Sequence, residues 1–226
     1  MPNIINLNNI NKTYGSFVKT QVLHNINLSF QEGSFNSIIG SSGSGKSTLL
    51  NIMGTLDKPT NGEIYIDGKR TDTMKKDELA ELRNQTIGFI FQFHYLLPEF
   101  TAIENVLIPN RIKTSKPTNR ELDRANELLE LVGLAKVKNN LATNMSGGQQ
   151  QRTAIARALM NTPKIILADE PTGNLDSEST ENIYNLMRDI NIKLNTTFVV
   201  ITHDRRIAEK ADRIVEIKDG RISTDI

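Results

Sequence analysis

Apolar and polar positions alternate in the first part of the chain: Ile26, Leu28 and Phe30 are spaced by Asn27 and Ser29, and Ile64 and Ile66 alternate ahead of the turn pair Asp67-Gly68. A period of two buries one face of a strand and wets the other, so these segments predict antiparallel strands and hairpins. After residue 75 the period lengthens. Leu122, Ala125, Leu129 and Val132 fall on one helical face, behind a Thr118 to Glu121 capping box. Ile183, Leu186, Ile190 and Leu194 mark a second helix, flanked by the short apolar runs Ile165 to Asp169 and Phe198 to Thr202. Continuous apolar runs on either side of a helix are the pattern of a βαβ unit whose strands are buried on both faces. The expected class is α/β with an antiparallel flank. A largely helical stretch from about Phe93 to Met145 interrupts it as an inserted lobe.

Composition narrows the function classes more than the fold. The 226 residues are 38% hydrophobic and 23% charged, a globular balance. Lys and Arg number 27 against 26 Asp and Glu, and a net charge of +1 provides no global field to draw in nucleic acid or an anionic membrane. With no cysteine there is no disulfide, thiolate metal site or cysteine nucleophile. Apolar runs stay far below the ~20 residues that span a bilayer, and Met1 to Tyr14 has neither a basic nor an apolar leader region. No signal peptide is expected, and any membrane role must come through a partner.

Three motifs carry chemistry. Gly40-Ser41-Ser42-Gly43-Ser44-Gly45-Lys46-Ser47-Thr48 fits G-x-x-x-x-G-K-[ST] between a strand, Phe35 to Ile39, and a helix, Ser47 to Met53. In that context the loop N–H groups and the helix N-terminus hold phosphate, Lys46 bridges the terminal phosphates, and Ser47 offers a hydroxyl to Mg²⁺. Asp169 and Glu170 close the apolar run from Ile165, where the end of a parallel strand faces a ligand crevice. Asp169 suits Mg²⁺, and Glu170 suits polarising a water near the last phosphate. Ser146-Gly147-Gly148-Gln149 reads as an N-cap, a side-chain-free helix end and a capping-box partner. That makes a second phosphate-binding helix end, which one nucleotide cannot obviously use within one molecule. A neighbouring copy's nucleotide is the natural ligand.

The phosphate loop, Gln92, Ser146 to Gln149, Asp169-Glu170, the turn Gly173-Asn174-Leu175-Asp176 and His203, in that order, resemble the ATP-binding-cassette ATPases across nearly the whole chain. The resemblance implies a single nucleotide-binding domain over 1–226 with the fold of P-loop NTPases. It has a RecA-like core (about 1–92 and 153–226), an N-terminal antiparallel β flank and a helical lobe (about 93–152). It implies a head-to-tail homodimer with two ATP molecules, each between one phosphate loop and the other copy's Ser146, Gly147, Gly148, Gln149 and Asp176. Tyr14 is then the aromatic on adenine, Gln92 a ligand to Mg²⁺ and the attacking water, and His203 the switch histidine at the γ-phosphate. Two departures stand out: Met145 where Leu is usual, and the polar Asn36-Ser37 in the strand before the phosphate loop.

The stretch from Glu81 to Val106, with Phe93-His94-Tyr95 and Leu97-Pro98-Glu99-Phe100, is similar to the ATP-binding subunits of Gram-negative lipoprotein-releasing transporters. Cassettes of macrolide export and cell division are the alternative, and a soluble cassette working on ribosomes or DNA is disfavoured by the absent basic patch. The resemblance implies two integral membrane subunits, with the chain peripheral on the cytoplasmic face of the inner membrane. Lipoprotein cargo is met only indirectly. Phe93, Tyr95, Leu96, Leu97 and Phe100 are expected to line a groove for an apolar partner helix.

Overall fold

The computed structural model describes residues 2–112 and 116–226. The strands are β1 (Asn3–Tyr14), β2 (Thr20–Gln31), β3 (Phe35–Ile39), β4 (Asn61–Ile66), β5 (Lys69–Arg70), β6 (Ile87–Phe91), β7 (Ile165–Asp169), β8 (Thr197–Ile201), β9 (Arg213–Lys218) and β10 (Arg221–Asp225). The helices are α1 (Lys46–Met53), α2 (Lys76–Thr86), α3 (Ala102–Arg111), α4 (Asn119–Leu131), α5 (Gly147–Ala158), α6 (Ser177–Leu194) and α7 (Arg205–Ala208). Two sheets result: an antiparallel one ordered β2-β1-β4-β5 and a mixed one ordered β10-β9-β3-β8-β7-β6, antiparallel only at β10.

Alternating residues of the parallel strands serve two cores. On one side Ile38, Ile165, Leu167 and Val199 pack with α1 (Leu49, Leu50, Ile52, Met53) and with the inner face of the antiparallel sheet, Leu7, Ile26 and Ile64 among it. Thus α1 lies between the two sheets. On the other side Phe35, Ile166, Ala168 and Phe198 meet α3, α4, α5 and α6. Burial of both faces explains the uninterrupted apolar runs of β7 and β8.

Several features depart from expectation. Residues 93–100 contain no helix, because α3 begins only where Thr101 accepts from the Glu104 N–H and Glu104 reaches back to the Thr101 N–H. The asparagines of the antiparallel flank are structural: β1 and β2 bulge at Asn9 (φ 52°) and Asn25 (φ 48°). There Asn27 Oδ1 accepts from the Asn9 N–H and Asn11 Oδ1 from the Asn25 N–H, replacing the lost ladder bonds. Asn36 is buried because its amide donates to Ser34 Oγ at 2.8 Å and to the Phe198 carbonyl at 3.0 Å, tying β3 to β8.

Candidate active site

Strands β3, β8, β7 and β6 are neighbours, so their C-terminal ends meet at one edge, the place where parallel α/β sheets bind ligands. Each end delivers a residue singled out above: the phosphate loop after β3, His203 after β8, Asp169 and Glu170 at β7, and Gln92 after β6. Together they line a cleft of about 470 Å³, with Gly40, Ser42, Gly43, Gly45, Lys46, Ser47 and Thr48 on its floor.

The loop's shape depends on glycine at two points. Gly40 has φ 151°, and a Cβ there would stand 2.2 Å from the Ile217 carbonyl oxygen. Gly45, the N-cap of α1, has φ 107° with Leu23 2.8 Å from where its Cβ would be. Lys46 folds across the loop and donates to the carbonyls of Gly40 and Ser41, both at 2.9 Å. Ser44 turns inward and is buried, so it and Ser41 shape the loop rather than face the cleft. Neither α1 nor α5 carries an acidic residue in its first turn, whereas α2, α3, α4 and α6 all do. These two helix ends therefore keep their positive potential for an anion.

Glu170 leaves β7 in a left-handed conformation, φ 47°, costing on the order of 1–3 kcal/mol for a non-glycine residue. The turn is held by its N–H donating to the Ile201 carbonyl and by Gly173 N–H donating to the Glu170 carbonyl, each at 3.0 Å. This aims the Glu170 carboxylate at His203, whose Nδ1 lies 2.8 Å from Oε2. Asp169, one residue earlier, sits 3.4 Å from Ser47 Oγ. Burial raises its pKa above the ordinary carboxylate value, against the opposing pull of Ser47 and Lys46. Gln92 is clasped by Asn174, which accepts from Gln92 Nε2 at 3.1 Å and donates to the Gln92 carbonyl at 3.2 Å.

A second cleft, of about 480 Å³, holds Ser146, Gly147, Gly148, Gln149 and Asp176. Its capping box is formed: Ser146 Oγ accepts from the Gln149 N–H, and Gln149 Oε1 from the Ser146 N–H. Asp176 caps α6 and accepts from the Ser179 N–H at 2.9 Å. Its carboxyl pKa falls, chiefly through that backbone bond. The two clefts share no lining residue. Tyr14 lines neither; it is partly exposed, and its hydroxyl donates to Asp57 Oδ2 at 2.7 Å while the Lys12 ammonium lies over its ring. Asp57 also receives Lys12 at 2.6 Å, an anchor that no periodicity along the chain marks.

A third, apolar groove of about 500 Å³ lies beside the Gln92 loop. Of the five residues expected to line it only Tyr95 does; Phe89, Phe91, Leu56, Ile108 and Ile112 are among the residues that make its apolar wall. Phe93 and Leu97 point elsewhere and are exposed. Sequence reasoning missed β6, whose alternate aromatics project into this groove.

The model of the ABC transporter family matches residues 23–173. The lipoprotein-releasing system ATP-binding protein LolD 1 of Rhodopseudomonas palustris is 50% identical over 225 residues, covering 99% of this chain and all of that protein. LolD of Anaeromyxobacter dehalogenans is 47% identical over 222 residues, 98% of this chain and 93% of its own. Among solved structures, the ATP-binding cassette MJ0796 in a dimeric post-hydrolysis state with ADP and Pi has a TM-score of 0.89 at 46% identity, covering 98% of this chain and 97% of that one. A cassette of another kind, cbiO1 from Clostridium perfringens, matches with the same TM-score at 28% identity, over 100% of this chain and 88% of that one. On the match over more than half its length, and on the geometry of its phosphate loop and strand-end carboxylates, the chain belongs to the ABC transporter family as an ATP-binding, ATP-hydrolysing cassette.

Proposed function

We propose that this chain is the ATPase subunit of a lipoprotein-releasing transporter, acting as a homodimer on the cytoplasmic face of the inner membrane beside two integral membrane subunits. The observation that carries the reading is identity of about half the residues to LolD proteins along essentially the whole chain. No helix among the described residues is long and apolar enough to cross a membrane, in keeping with partners that supply the spans. The apolar groove next to Gln92 is suited to a helix from such a partner.

In this reading the loop Gly40 to Thr48 and Lys46 hold the ATP phosphates, and Tyr14 supplies the adenine stack. Glu170 accepts the proton of the attacking water, with Gln92 orienting that water. His203 steadies the Glu170 carboxylate and reaches the γ-phosphate. Ser146, Gly147, Gly148, Gln149 and Asp176 meet the nucleotide of the second copy. Because those contacts need the γ-phosphate, ATP favours the closed dimer and ADP does not.

Mg²⁺ fits the residues present. Ser47 Oγ and Asp169 Oδ1 are hard oxygen donors 3.4 Å apart, and the half-buried Asp169 carboxylate lacks a strong partner among the described residues. Among the described residues no three His, Cys, Asp or Glu side chains cluster as a metal site, so an ion here takes most of its shell from phosphate and water. Ser47, Asp169 and Gln92 would hold it, and when bound it supplies charge neutralisation at the terminal phosphates.

The test is affinity purification of Glu170→Gln with ATP from detergent-solubilised membranes, followed by mass spectrometry. Membrane subunits with large periplasmic domains, accompanied by lipoproteins, are expected. Recovering a drug-export or cell-division partner instead would keep the ATPase and change the task. Soluble partners alone would end the transporter reading.

A further inference from the structure

Tyr14 ends β1 with 42% of its surface exposed, yet it is met from three sides. Its hydroxyl donates to Asp57 Oδ2 at 2.7 Å, the Thr48 side chain bears on the same hydroxyl, and the Lys12 ammonium lies over one face of the ring, 4.7 Å from its centroid. Asp57 is itself anchored twice through Oδ1, which accepts from Lys12 Nζ at 2.6 Å and from the Lys58 N–H at 2.7 Å. The Lys12 side chain is nearly buried, and its ammonium also donates to the Lys58 carbonyl at 2.7 Å. After α1 the chain doubles back: the Leu56 and Asp57 N–H groups both donate to the Asn51 carbonyl, at 2.8 and 3.2 Å. Asn51 lies one helical turn from Thr48, which lines the phosphate-loop cleft. Through Asp57 and Thr48, Tyr14 is fastened to the flank of the helix that the phosphate loop opens.

A stacking platform helps only at the right distance and tilt from the phosphate site, because one nucleotide must meet both at once. A side chain that is free to swing has to be ordered at each binding event, whereas one already fixed does not. With Lys12 over one face of the ring, the opposite face is the one open to a base. We propose that Asp57 is a positioning residue for the nucleotide base: it holds the Tyr14 ring at a set tilt to the phosphate loop, with Lys12 closing the face the base does not use. The inference rests on the reading of Tyr14 as the adenine stack and adds what sets the geometry of that stack. Because the anchor grips the hydroxyl, the phenol oxygen contributes here and not the aromatic surface alone. Phenylalanine at position 14 would keep the surface and lose the anchor.

The experiment titrates the purified full chain, with Mg²⁺ present, against ATP and against inorganic tripolyphosphate, which carries the phosphates without a base. Asp57→Ala and Tyr14→Phe should each weaken ATP on the order of fivefold, the worth of one hydrogen bond, and leave tripolyphosphate affinity unchanged. In steady-state hydrolysis the loss from Asp57→Ala should fall on KM rather than kcat. The double variant should be no weaker than Asp57→Ala alone, since both substitutions remove the same contact. Should Asp57→Ala fail to fold, Tyr14→Phe breaks that contact from its other end. Tyr14→Ala, which removes ring and hydroxyl together, should weaken ATP the most. If Tyr14→Ala weakens ATP selectively while a folded Asp57→Ala or Tyr14→Phe binds it like the unsubstituted chain, the proposal falls and the adenine stack stands. Equal weakening of ATP and tripolyphosphate by Asp57→Ala or Tyr14→Phe would make the contact a support of the fold only, which also overturns the proposal. If Tyr14→Ala binds ATP as tightly as before, the ring is not the adenine stack, and that reading and the proposal fall together.

Discussion

Glu170 shows how one residue's backbone and side chain share a task. Its left-handed φ is tolerated because Ile201 and Gly173 fix the peptide on either side, and the result is a carboxylate aimed at His203. Glu170→Gln keeps this frame and removes the proposed proton acceptor. Hydrolysis should fall by about 10²–10⁴-fold with ATP affinity preserved, which single-turnover assays and equilibrium titration read separately. Lys46→Ala should instead weaken ATP binding itself by at least about tenfold in the same titration, since its ammonium lies on the loop, bonded to the Gly40 and Ser41 carbonyls. The identities of both residues were legible in the chain, because phosphate chemistry restricts the residue types and their spacing. Arg157 was not: it holds the carbonyls of His94 and Tyr95, more than sixty positions away, and a lone arginine on an amphipathic helix carries no sign of them.

At the scale of elements, the apolar pattern located β3, β7 and α4 to within a residue or two, but it marked α6 only from Ile183, six residues after that helix begins at Ser177. It was less informative where polar contacts define the element. β8 begins at Thr197, one residue before the apolar run, since Thr197 is wholly buried and bonds the Gly33 N–H. Beside its apolar packing, α6 has a polar tie to the sheet: Arg188 donates to both oxygens of Asp212, at 2.5 and 2.9 Å, and Asp212 also accepts from the Phe35 N–H. The hydrogen bond from Arg188 is the chief reason that the Asp212 pKa lies below its ordinary value. A lowered folded-state pKa makes the contribution to stability complete above about pH 4 and lost as pH falls through the folded value. Asp212→Asn should cost about 1 kcal/mol at neutral pH and flatten the acid limb of the urea-midpoint profile. A steric test of the β6–α5 contact is Gly88→Ala, whose Cβ would stand 2.4 Å from the Ala158 carbonyl oxygen. Backbone cannot step aside cheaply, so a loss of about 1–3 kcal/mol is expected by urea denaturation.

For the whole molecule, the order of the sheet matters more than any single strand. Placing β3, β8, β7 and β6 side by side gathers four chain segments, spread from residue 40 to residue 203, at one edge. Motifs named the four segments in advance, but their adjacency and the position of the groove on the far side of β6 required the fold. On the proposed dimer, Glu170→Gln with ATP and Mg²⁺ should run at twice the mass of the free chain by light scattering, and with ADP at the single mass.

The disjoint linings of the phosphate-loop cleft and the Ser146 cleft have a further consequence for supply. On the proposed dimer a lone copy carries two unlike half-sites and no complete one, so at low concentration turnover per chain should rise in proportion to the amount present. Membrane subunits that hold two copies together would replace that dilution law with an effective concentration in the millimolar range. Output is then limited by assembled transporters, and a cell that makes more of this cassette alone gains no transport from the surplus.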